Sequence, residues 1–160
     1  MDAELHYTEH AFAVCTVGSS FVNVLRKPAT MEMIDEIRRQ VQRHHRRCNG
    51  IVVAMSVLEP SAAQSVPRDV RENSARLTTE YHSLAAATVI EGSGFRAAAT
   101  RTAVTTMFLF ARPPYPYKVF GDLAEGASWV VATGQKSQPL SVTAEDIVRA
   151  VETARAAIKP

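Results

Sequence analysis

A chain of 160 residues that is 46% hydrophobic and 21% charged can bury a core of its own, which excludes disordered and fibrous classes and any need for disulfide staples. Eighteen Lys and Arg against sixteen Asp and Glu leave a formal charge of +2, too mild for composition alone to imply a nucleic-acid partner. No apolar run reaches the roughly 18 residues of a membrane span, and the acidic start "MDAELHYTEHAF" lacks the basic region of a secretory leader, so a soluble cytoplasmic domain is expected.

Ala11 to Val17 and Phe21 to Leu25 are apolar, β-branched runs separated by Gly18, Ser19 and Ser20, a pattern that predicts an antiparallel hairpin. Pro28 and Thr30 introduce a helix whose inward stripe is Ile34, Ile37, Val41 and Cys48, with Asn49-Gly50 as its stop. The continuous run Ile51 to Leu58 reads as a central strand covered on both faces. Pro67 suits a first helical position, and Val70, Ser74, Leu77, Tyr81 and Leu84 trace the next helical stripe. Ala85 to Glu91 is a strand despite its alanines, Phe95 to Ala111 a helix, and Tyr117 to Phe120 a short strand. Asp122 and Glu125 form a capping signal for a helix that carries Leu123, Ala127 and Val130 inward and stops near Gly134. Thr143 with Asp146, and Val142 with Ile147, give the cap and staple of a last helix running to about Ile158. The order is thus a mixed β-sheet with an N-terminal hairpin, alternating β-α units with parallel strands, and an extra C-terminal helix: an α/β fold.

"VIEGSGFRAAATR", residues 89–101, is a glycine-rich bend at a helix start, where exposed N–H groups and the helix dipole attract anions. Gly92, Ser93, Gly94 and Arg96 are the candidate anion-binding residues. Both the Walker pattern and the third glycine of the dinucleotide pattern are absent, Ala97 standing in the latter's place. The competing reading is mechanical: the glycines permit the turn and Ser93 caps the helix.

The other features carry less chemistry. "RRQVQRHHRR" spreads its arginines over the outer side of a helix, with Asp35 placed to pair with Arg39, as a solvated face would. His44 and His45 are adjacent, cannot form the i, i+4 pair of a zinc site, and read as surface residues. Cys15 and Cys48 stand alone, as buried thiols do. No nucleophile, base and orienting group can be assembled, "EGSGF" lacks the nucleophile-elbow spacing, and no cofactor or metal is expected. "VTTMFLF" followed by Arg112 and "PPYPY" is apolar on every side of its helix, so it must be enclosed or meet another surface. Val104, Met107, Phe108, Phe110, Tyr115 and Tyr117 are therefore candidate interface residues, for a protein partner or a second copy.

The order of elements, with "YKVFGDLAEGASWV" carrying Glu125, Ala127 and Trp129 after the acidic cap, resembles the STAS fold of sulfate transporters and anti-sigma-factor antagonists, in particular its divergent bacterial members. The resemblance covers roughly residues 8–133. It divides the chain into a STAS-like domain at 1–135 and a linker with C-terminal helix at 136–160, packed on the domain or extending from it. It implies a non-catalytic regulatory or protein-interaction module. Regulatory members carry a phosphorylatable serine in a loop that corresponds here to "EPSAAQSVPRD", which offers Ser61 and Ser65 without the preceding Asp or following Gly of that motif. A phosphate on Ser65 would still gain from the helix start and Arg68. The alternative function is a sensor of a small anionic ligand or nucleotide at Gly92–Arg96.

Overall fold

The computed structural model describes Met1–Pro160. Its strands are β1 (Glu4–Tyr7), β2 (Phe12–Val17), β3 (Ser20–Leu25), β4 (Val53–Leu58), β5 (Ala85–Ile90) and β6 (Tyr117–Phe120). Its helices are α1 (Met31–Arg47), α2 (Arg68–Glu80), α3 (Phe95–Ala111), α4 (Leu123–Gln135) and α5 (Ala144–Ala157), with a single 3-10 turn at Pro60–Ala62. The strands form one six-stranded mixed sheet in sequence order, β1 to β3 antiparallel and β3 to β6 parallel.

That order dictates where the helices go. Each parallel crossover steps one strand in the same direction, and a right-handed connection can do so only by returning over the same face. So α1, α2 and α3 share one face, and α4 and α5 are left to cover the other. The α4/α5 face is tightly filled: Val53, Met55 and Val57 of β4 pack with Ala127 and Val130 of α4 and with Ile147, Ala150, Val151 and Ala154 of α5, all buried. Gly134 lies in the last turn of α4, and its missing side chain is what lets the helix sit on β4, because a Cβ there would come within 2.6 Å of Val53 Cγ1.

Local signals explain the helix boundaries. Thr30 caps α1 by accepting from the Met33 amide, and Asp122 caps α4 by accepting from the Glu125 amide. Thr143 and Asp146 form a reciprocal capping box at α5, and these hydrogen bonds, with burial opposing, hold the Asp146 carboxyl down at about 2. Val142 and Ile147 are both fully buried in one cluster, as a staple requires.

Several expectations are corrected. An additional edge strand, β1, precedes the hairpin; it is half polar and broken by a register shift between Leu5 and Tyr7, as exposed edges commonly are. The second helix stops at Glu80 rather than reaching Leu84, because the Leu84 amide already donates to Val52 O (2.8 Å) and belongs to the sheet. Pro67 is the residue before that helix, not its first residue. The α1 pairings are Arg38 with Asp35 and Arg39 with Glu36, not Asp35 with Arg39. His44 is no surface residue: it continues the Ile37/Val41 stripe, packs near Phe21, and burial pushes its imidazole down to about 4. His45 is half-buried against the Tyr81 ring, and burial lowers it as well.

Candidate functional site

The sheet face beneath α1–α3 is not filled. Val53, Met55 and Val57 of β4 are sealed on the opposite face, whereas Ala54, Ser56 and Leu58 on this face are only half-buried. Beneath the three helices lies a cavity of about 1070 Å³, bounded by 29 residues of which 19 are hydrophobic. Its cause is side-chain size. Ala54 and Ala86 are register partners on β4 and β5, so two neighbouring floor positions that could have held large core residues hold methyl groups. The volume is at the upper end of small-molecule pockets, which run from about 300 to 1,000 Å³.

A polar stripe crosses the floor. Asn23, Ser56 and Thr88 stand in register on β3, β4 and β5, one polar residue in the middle of each apolar strand. The Ser56 hydroxyl donates to Asn23 Oδ1 at 2.9 Å, and the Thr88 hydroxyl is hydrogen-bonded to the Tyr117 hydroxyl. Burial raises the Tyr117 phenol far above its usual range, against a smaller opposing effect of the Thr88 bond, so it remains a neutral hydroxyl. No carboxylate, imidazole or thiol lines the cavity; the floor presents amide and hydroxyl groups that can hydrogen-bond.

The rim is formed by exposed residues of two segments: Gln64, Ser65 and Arg71 on one side, and Phe95, Arg96, Ala99 and Ala103 of α3 on the other. Arg71 and Arg96 are the only charged residues around the cavity. Arg71 donates to Val66 O at 2.8 Å, and Arg96 is exposed and enters no ion pair.

The glycine bend joins this rim. Gly92 and Gly94 have φ of 112° and 89°, the left-handed region that glycine alone occupies without strain. The expectation that Ser93 caps the helix is not met: Gly94 holds the cap position and no side chain bonds the first amides of α3. Gly92, Ser93, Gly94 and Arg96 are all exposed, and of them only Arg96 reaches the cavity rim. Ser61 donates its hydroxyl to Arg26 O at 2.5 Å, while Ser65 stands free at the rim.

The candidate interface residues on α3 divide between its two sides. Val104, Met107 and Phe108 turn inward and line the cavity, with the Phe108 ring tilted against Tyr117 at 3.9 Å between centroids. Tyr115 is tied by its hydroxyl to Thr78 O (2.7 Å) on α2, and burial pushes its phenol up to about 12. Phe110 turns outward with 84% of its surface exposed, beside Leu109 at 69%, and Phe95 one end of the helix away is 90% exposed. Ala97 is the only buried residue among the 17 of α3. An all-round apolar helix is here neither enclosed nor tightly packed.

Elsewhere, no three His, Cys, Asp or Glu side chains converge as metal ligands would, and no helix is long and apolar enough to cross a membrane. Known family models, curated proteins and solved structures give no match to this chain.

Proposed function

We propose that this chain is a cytoplasmic, non-catalytic binding module of STAS-like type that holds a small amphipathic acid, its apolar body in the cavity beneath α1–α3 and its anionic group at the rim. The reading rests on one observation: a cavity of about 1070 Å³ whose lining is two-thirds apolar and whose only charges are the two rim arginines. An apolar wall rewards burial of a hydrocarbon body at about 25 cal/mol per Å² removed from water. Two cations on a lining that carries no carboxylate favour an acid over a neutral or basic ligand. The uncapped amides at the start of α3, next to Arg96, add positive potential of the same sign. The STAS-like assignment draws its support from the hairpin followed by β-α units and from the Asp122 cap leading to Glu125, Ala127 and Trp129.

The test is thermal unfolding with a series of straight-chain monocarboxylic acids of eight to sixteen carbons. A ligand at a hundred times its dissociation constant adds about 2.7 kcal/mol, which raises Tm by roughly 5–10 °C for a chain of this size. Arg96→Ala should weaken the best acid by about three- to tenfold. Absence of stabilisation by every acid in the series overturns the reading.

A second reading, association with a protein partner or a second copy, is favoured by the exposure of Phe95, Leu109 and Phe110 on the outer side of α3. Sedimentation of the wild type at increasing concentration should then show a species above 17.5 kDa that Phe110→Glu removes while leaving the circular dichroism spectrum intact. A wild type that stays monomeric at hundreds of micromolar excludes self-association.

A further inference from the structure

The polar stripe on the cavity floor asks for a second functional group on the ligand. Asn23 is 4% exposed, yet only half of its amide is used: Oδ1 accepts from Ser56, and the amide nitrogen, with two N–H groups, has no protein partner although the residue lines the cavity. Ser56 has committed its proton to that bond, so the direction of donation is set and the free groups of Asn23 are donors. Two strands away the Thr88 and Tyr117 hydroxyls share one hydrogen bond. One of the two protons makes that bond, which leaves the other hydroxyl proton without a protein acceptor on residues that line the cavity. The raised Tyr117 phenol keeps both protons in place across the physiological range. The floor therefore presents hydrogen-bond donors at two places, Asn23 and the Thr88/Tyr117 pair, and no carboxylate.

We infer that the stripe Asn23, Ser56, Thr88 and Tyr117 is a recognition element for an oxygen acceptor, a hydroxyl or carbonyl, carried on the ligand at the end opposite its acid group. This deepens the proposed function and rests on it: the ligand class narrows from amphipathic acids to acids oxygenated at their far end. A plain hydrocarbon tail reaching the floor would leave the Asn23 donors buried against carbon, and unpaired buried donors are strongly disfavoured. A terminal oxygen pairs with them. The same asymmetry lets sites built to bond a hydroxyl reject analogues that lack it.

The experiment compares two matched series by isothermal titration, straight-chain acids and their ω-hydroxy counterparts, each from eight to sixteen carbons so that the length that spans rim to floor is included. Wild-type protein should bind the best ω-hydroxy acid about tenfold or more tightly than the plain acid of equal length. In Asn23→Leu that preference should fall to about twofold or less, with affinity for the plain acid unchanged or improved. Asn23→Ala, which removes the amide without adding bulk to the cavity, reads the same point if the leucine variant does not fold. Equal affinity for the two series in the wild type, or a preference that survives both Asn23 substitutions, overturns the inference and leaves the binding reading standing. Failure of both series to bind wild-type protein overturns the binding reading and the inference together.

Discussion

Arg155→Met is expected to lower the unfolding free energy by about 2–3 kcal/mol, a Tm drop of roughly 5–10 °C, read by thermal and urea denaturation. Arg155, near the end of α5, donates to Glu91 at 2.5 Å and lies 3.7 Å from Glu59, which follows β4. Arg26, just after β3, donates to both oxygens of Glu59 at 2.7 and 3.2 Å and to the Arg155 and Ile158 carbonyls at 3.2 and 3.0 Å. Two arginines and two carboxylates thus pin the C-terminal end of α5 to the ends of three parallel strands. Burial opposes the charged form of Arg155, but its bond to Glu91 and the surrounding carboxylates outweigh it and raise its pKa. The four side chains are between 14% and 32% exposed, so breaking the network costs less than the 3–5 kcal/mol of a fully buried pair but more than the roughly 0–1 kcal/mol of a surface one. A double-mutant cycle with Glu91→Gln separates the pair from the packing of the arginine stem. A loss under about 0.5 kcal/mol in Arg155→Met would mean the network is solvated and that apolar contacts alone hold α5.

The clasp shows which parts of this molecule its sequence discloses. Features encoded within a few consecutive residues were legible: the Gly18 turn between β2 and β3, the Asp122 cap, the Thr143 capping box and the alternation that makes β3 to β6 parallel. β1 was not, because an edge strand pairs on one side only and so carries no apolar run; "ELHY" lacks the pattern that a buried strand imposes. His44 lies three residues beyond Val41 on the same inward stripe, so helical spacing alone places it with the buried residues. The cavity is a different case. It lies over Ala54 and Ala86, with Ala99 and Ala103 at its rim, and each alanine alone reads as ordinary core or helix. Its polar floor did leave a trace: Asn23 in "FVNVL", Ser56 in "AMSVL" and Thr88 in "AATVI" are each the single strongly polar residue amid an apolar strand. That they form one stripe follows only once the strand register is known.

The cavity also yields the prediction with the largest effect on binding. The double variant Ala54→Leu/Ala86→Leu should lose affinity for the amphipathic acid by about a hundredfold or more while raising stability by about 2–4 kcal/mol. The two residues are side by side on the floor, so six added carbons occupy the volume that the ligand body would use. Each buried methylene contributes about 0.8 kcal/mol, and leucine's rotamer entropy returns about 0.5–1 kcal/mol per side chain, so the net sign is stabilising wherever real space exists. In a close-packed core the same substitutions would force neighbours off their rotamers at a cost of about 1–3 kcal/mol each. Stability and binding therefore move in opposite directions only if the chamber is both open and the place where the ligand sits. A stabilised double variant that still binds the acid at wild-type affinity would move the ligand site away from the cavity, and a destabilised one would mean that the space beneath α3 closes in solution, Met107 and Phe108 settling onto the alanines.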